Sequence, residues 1–376
     1  MRFRDSIFKD IEISEVENKI IEDPNFQRLR YIRQGGFAFL VYQSANGTRF
    51  EHSVGTMKIT KDISSNIFGE VNEELAITGL LHDIGHPPFS HQSEPISKKY
   101  LKKSHEDLGY DIIKNSSISD IISNSTLSLN KILEYFSGKN EGKLLTGPIG
   151  SDRIDYLLRD SYNTGVALGV IDYPRLKSTL TYINNEPAIY TNGIVNVESF
   201  FIARYFMYQS VYFHHASAIA EAMFLKVADQ AVEDGYIDAE EFVHMRDYEA
   251  LYKLSKFKGS TLINDILNRN LLKRAFYKEI KNKDDESLIL KLEGYIEQSG
   301  INHDDYIIKI IKFTGGNDEV SIINRNKEKV GTLKEYSPLF NNLSTLLKEK
   351  KILLVAARSN LTDKLNKIVS DYLQTE

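Results

Sequence analysis

NEELAITGLLHDIGHPPFSH, residues 72–91, is a helix that ends in ionisable side chains. Asn72 followed by Glu73 and Glu74 is a cap with an acidic first turn. Leu75, Ala76, Leu80 and Leu81 form the apolar body, and Pro87–Pro88 cannot continue it. His82 and Asp83 therefore stand side by side where a buried helix stops. An ionised carboxylate in such a place costs several kcal/mol or shifts its pKa, whereas a divalent cation satisfies carboxylate and imidazole together. Two adjacent residues cannot complete a coordination shell. A second histidine and a second carboxylate from elsewhere in the chain would give mixed N/O ligation, which suits Mn, Fe, Co, Ni or Zn and is less natural for Mg.

Outward from this helix, the chain before about residue 180 reads as a series of helices, with apolar residues at spacings of three and four and Gly, Pro, Asn or Ser between them. TYINNEPAIYTNG (181–193) reads as a short β-hairpin, and Ser199 to about Asp234 as one buried helix without Pro or Gly. Beyond about 250, Lys- and Asn-rich helices mix with the β-like runs DYIIKIIKF and KILLVAAR. The expected fold is mainly α: a helical core over 1–250 that includes the hairpin, and a smaller mixed α/β lobe over 251–376.

Composition narrows the functional classes. With 47 basic against 52 acidic residues the chain is slightly acidic, so no general nucleic-acid or anionic-membrane surface is expected and an anionic ligand must be captured locally. The absence of cysteine excludes thiolate nucleophiles, disulfides and sulfur-ligated zinc. No stretch approaches the roughly 20 apolar residues of a membrane helix, so a cytoplasmic protein is expected.

Of the nine histidines, five (His52, His82, His86, His91 and His105) fall in one short part of the chain. Asp152, Tyr156 and Asp160 follow at i, i+4 and i+8, so a helix there places all three on one face. The segments that carry these residues, RFEHSVG (49–55), LLHDIGHPPFSH (80–91), SHEDLG (104–109) and SDRIDYLLRDS (151–161), resemble the HD-domain superfamily in order and spacing. Together with FQRLRYIRQGG (26–36), they are most similar to its deoxynucleoside triphosphate triphosphohydrolase branch, over residues 1–235 or so.

The resemblance implies a helical HD-domain core and one divalent metal ion held by His52, His82, Asp83 and Asp152. It implies catalytic roles for His91 and His105, with Glu94 orienting His91. Arg49 and Arg153 would meet phosphate, Tyr156 and Asp160 the deoxyribose, Gln34 the neighbourhood of the sugar, and His214 a further part of the substrate. The nucleotide would be cut at the α-phosphate to release deoxynucleoside and triphosphate, by a dimer or tetramer. His215, His244 and His303 lack supporting context and read as structural. The chain departs from the branch at Gln43–Ser44, where Pro-Gly is usual, and at Phe8–Lys9, where His-Gly is. Arg30 fits the position that binds an activating nucleotide in regulated relatives, but Met1, Arg4 and Phe8 match poorly. Two alternatives stay open at this point: a monophosphatase or cyclic-nucleotide phosphodiesterase of the same superfamily, and a nucleotide-sensing module.

Overall fold

The computed structural model describes residues 1–281, 284–313, 315 and 318–375. Eight of the longer helices are labelled α1–α8 here. The chain is mainly α-helical with small sheets.

Helix α1 (Arg49–Phe68) starts where Glu51 Oε1 accepts the Thr48 N–H at 2.9 Å, and stops at Gly69, whose φ of 84° needs no Cβ. Helix α2 (Glu73–Leu81) begins as expected, with Asn72 Oδ1 accepting the Leu75 N–H at 3.0 Å, and ends at His82. The two helices approach closely because Gly79 has no side chain: a Cβ there would lie 2.7 Å from Thr60 Oγ1. Val54 and Met57 of α1 share a buried cluster with Ala76, Ile77, Leu80 and Leu81 of α2. Each fully buried side chain of this size contributes about 1.5–3 kcal/mol. Helix α3 (His105–Asn115) is capped by Ser104, and helix α4 (Ser151–Thr164) crosses α1, where the Ser151 and Thr60 hydroxyls meet at 2.7 Å.

Two local expectations need correction. The N-terminal stretch is not helical: β1 (Arg2–Asp5) and β2 (Lys9–Glu12) pair antiparallel. Asp5 Oδ1 accepts the N–H groups of Ile7 and Phe8, both at 2.8 Å, and this closes the turn in four-residue strands too short to show a period. Nor is Ser199 to Asp234 one helix. It comprises α5 (Ile194–Met207), a wide π-helical turn over Tyr208–Tyr212, and α6 (His215–Glu233). The Phe213 N–H bonds back to the Tyr208 carbonyl at 3.0 Å, and His214 turns extended and caps α6 through Nδ1 to the Ala216 N–H. Such wide turns recur at functional sites.

The hairpin is β3 (Leu180–Ile183) and β4 (Glu186–Tyr190), joined by Asn184 and Asn185, both at positive φ. The β-like runs are strands as read. β5 (Lys273–Glu279), β6 (Tyr306–Lys312) and β9 (Lys351–Ala357) form an antiparallel sheet in the order β5-β9-β6. Helices α7 (Asp285–Gln298) and α8 (Thr362–Thr375) share a buried cluster with it. β7 (Ser321–Ile323) and β8 (Lys329–Thr332) instead extend the hairpin, β7 pairing parallel with β4 and tying the late part of the chain to the helical core. No helix among the described residues is long and apolar enough to cross a membrane.

Candidate active site

α1 supplies His52 from its first turn, the end of α2 supplies His82 and Asp83, and the first turn of α4 supplies Asp152. Their ligand atoms meet. His52 Nε2 lies 3.2 Å from His82 Nε2, 3.2 Å from Asp152 Oδ1 and 3.4 Å from Asp83 Oδ2. His82 Nε2 lies 3.3 Å from Asp83 Oδ2 and 3.7 Å from Asp152 Oδ1. A cation with bonds of about 2.0–2.2 Å to N and O sets neighbouring ligand atoms roughly 2.8–3.6 Å apart. His52, His82 and Asp152 group closely enough to hold one, with Asp83 Oδ2 beside both histidines.

The chemistry of the donors fits as well. His52 Nδ1 is 2.7 Å from Asp155 Oδ2 and His82 Nδ1 is 2.9 Å from the Gly79 carbonyl. Each acceptor holds the proton on Nδ1, which leaves both Nε2 lone pairs facing each other beside two carboxylates. That arrangement is repulsive unless positive charge sits between them. Burial by itself disfavours charged His52, yet Asp152, Asp155 and Asp83 outweigh it and push the imidazole up to about 10. The site thus favours positive charge, and the residues present suit a divalent metal.

Around this point lies a cavity of about 480 Å³. Arg49 reaches into it from α1, donating from Nη1 to Asp83 Oδ2 at 2.5 Å and from Nε to Ser90 Oγ at 2.9 Å. Ser90 is presented by a strained turn: Phe89 and Ser90 both hold left-handed backbone, and Asp247 Oδ1 accepts the Phe89 N–H at 2.7 Å. His91 and His105 line the cavity, and buried Glu94 sits between them, 3.2 Å from each Nδ1. His91 stays largely accessible, its side chain 62% exposed, whereas that of His105 is 12% exposed. Burial opposes ionisation of Glu94, but the two histidines and Lys98 hold its carboxyl far below the usual range.

Asp152, Tyr156 and Asp160 all line the cavity, as the single helix face requires, and Gln34 and Arg153 join them. Arg153 Nη1 is already engaged, 2.8 Å from Asp318 Oδ1. Burial pushes Asp160 up to about 6, against the Tyr212 hydroxyl that donates to it at 2.7 Å. His214 is not among the side chains lining the cavity; the residues that reach it from the π-turn are Tyr208, Val211 and Tyr212. His215 stacks on His214, His244 faces Glu240 and His303 lies on the C-terminal lobe, all outside the cavity.

Sequence reasoning passed over three groups. His86 is fully buried, stacked on His105 with ring centroids 4.0 Å apart, and its Nε2 is 3.2 Å from Asp83 Oδ1. Its spacing after His82 was the available signal. Asp155, which orients His52, and Arg159, which grips Asp155, lie on the flank of the face that was read. Tyr212 was hidden in what read as a continuous helix.

The HD domain family model matches residues 49–160, and the HD associated region model matches 171–376, more than half of the chain. An uncharacterised protein, MJ1154 of Methanocaldococcus jannaschii, is 35% identical over 98% of this chain and 83% of its own. The crystal structure of a phosphohydrolase, BT4208 of Bacteroides thetaiotaomicron, superposes with a TM-score of 0.77 at 26% identity, covering 95% of this chain and 99% of that one. The deoxynucleoside triphosphate triphosphohydrolase SAMHD1 homologue of Dictyostelium discoideum is 28% identical over 72% of this chain and 59% of its own. The chain belongs to the HD-domain superfamily of phosphohydrolases, close to its deoxynucleoside triphosphate triphosphohydrolase branch.

Proposed function

We propose that this protein hydrolyses deoxynucleoside triphosphates to deoxynucleoside and triphosphate, with water attacking the α-phosphate. The observation that carries the reading is that His82, Asp83 and Asp152 line the same cavity as two arginines and the Tyr156–Asp160 pair, with His52 Nε2 against them at 3.2–3.4 Å. A divalent cation held by these four residues would polarise a phosphoryl oxygen and lower the pKa of a bound water. Two imidazoles among the ligands favour Mn, Fe, Co, Ni or Zn over Mg.

The chain's own groups supply the rest. His91, with Nδ1 turned to Glu94, keeps Nε2 to carry a proton. His105 is held the same way by the other Glu94 oxygen. Arg49 and Arg153 neutralise charge on the phosphate oxygens. Tyr156 and Asp160 offer a donor and an acceptor to the sugar. In this reading residues 1–250 carry the chemistry, residues 251–376 support it, and the chain works as a homo-oligomer.

The test is to supply the metal-stripped protein with each cation, offer dNTPs, NTPs, nucleoside monophosphates and cyclic nucleotides, and separate the products by chromatography. The reading expects deoxynucleoside and tripolyphosphate from dNTPs. Release of dNMP and pyrophosphate, or turnover confined to monophosphates or cyclic nucleotides, would assign the site to another phosphohydrolase reaction of the superfamily.

A further inference from the structure

Arg159 is among the largest side chains wholly shielded from solvent. Its guanidinium holds Asp155 by two bonds, Nε to Oδ2 and Nη2 to Oδ1, both 2.9 Å. Its Nη1 reaches Asp5 Oδ2 at 2.9 Å, a residue 154 positions away. Each end of this chain of charges is engaged. Asp5 Oδ1 closes the turn of the N-terminal hairpin, and Asp155 Oδ2 accepts from His52 Nδ1 at 2.7 Å. α1 makes room for it with Gly55, where a Cβ would fall 2.0 Å from Asp155 Oδ1 and 2.3 Å from Arg159 Nη2.

Burying a guanidinium between carboxylates is a poor way to gain stability, since apolar side chains of similar volume serve as well or better. A histidine ligand, by contrast, depends on what its other nitrogen bonds to, because that partner sets which nitrogen keeps the proton and where the ring points. We propose that Asp5 and Arg159 are positioning residues for the metal centre, acting through Asp155 to fix the tautomer and orientation of His52. The N-terminal hairpin is then part of the structure that sets metal affinity, although none of its side chains touches the ligand cluster. This rests on His52 being a metal ligand, as under Proposed function.

The test is a Co²⁺ titration of the metal-stripped, full-length protein, followed by its d–d absorption, with folding checked by circular dichroism. D155N is expected to weaken Co²⁺ binding about 10- to 100-fold and D5N about 10-fold, with altered d–d spectra. D10N, on the same hairpin in the exposed pair with Arg4, is expected to bind as the parent does. A merely structural network would lower the unfolding midpoint of the metal-free protein and leave the dissociation constant and spectrum unchanged, and that result would overturn the proposal. Should D5N not fold, D155N decides in the same way. No Co²⁺ binding by the parent would overturn the metal-site reading itself; tight binding by parent and variants alike would overturn only the positioning chain.

Discussion

Gly55→Ala sets helix propensity against packing. Gly55 lies inside α1, and alanine there gains about 1 kcal/mol of intrinsic helix stability. The new Cβ, however, would stand 2.0 Å from Asp155 Oδ1 and 2.3 Å from Arg159 Nη2, whereas ordinary contact begins at 3.4 Å. The carboxylate would have to retreat by roughly 1.4 Å on that comparison, enough to break its bonds to both His52 and Arg159. Neither group can swing into solvent, because Asp155 and Arg159 are both fully buried. Overpacking costs about 1–3 kcal/mol, and a buried ion pair that loses its partner about 3–5 kcal/mol. Partial relaxation and the propensity gain leave a net loss of about 2–4 kcal/mol. Denaturant unfolding of the metal-free protein measures it as a lower midpoint at unchanged m-value, and Co²⁺ affinity should fall in parallel. A G55A variant as stable as the parent, with undiminished affinity, would refute the packing around His52.

His91→Ala should keep the metal and lose about 100-fold in turnover, read as stoichiometry by elemental analysis and as rate by phosphate release; full activity would exclude His91 as the proton carrier. Asp83→Ala should lose metal and turnover together, and an unchanged stoichiometry would remove Asp83 from the ligand set. Asp247 gives a pH signature. Burial pushes its carboxyl up to about 6 from 3.8, against the bonds it accepts from Phe89 and Arg33, so the native state binds this proton more tightly than the unfolded chain. Its contribution to stability is present below about pH 4 and lost as pH rises through about 6, some 3 kcal/mol for the full shift. The stability of the parent relative to D247N should therefore fall between about pH 4 and pH 7, and a difference flat in pH would count against it.

What the sequence disclosed and what it withheld follow from the range of the interactions. Local signals were readable: Asn72 caps α2 through its own side chain, and Asn184–Asn185 take the positive φ angles of a tight hairpin. The HD motif, the face of Asp152, Tyr156 and Asp160, and the strands around Ile308 and Leu354 were equally local. The break between α5 and α6 had no such signal, because no Pro or Gly marks it and it shows only in the backbone, as in the i to i−5 bond from Phe213 N–H to the Tyr208 carbonyl. Asp5 gave no hint of its partner because the ion pair with Arg159 joins distant parts of the chain that no periodicity connects. The absence of His214 from the cavity has the same origin, since the π-turn offers Tyr208 and Tyr212 instead.

The most direct test of the central claim is anomalous diffraction, at the manganese edge, from crystals soaked in Mn²⁺. The account predicts one peak within coordination distance of His52 Nε2, His82 Nε2, Asp83 Oδ2 and Asp152 Oδ1. A peak held by other residues, or no peak with these four side chains in place, would contradict it.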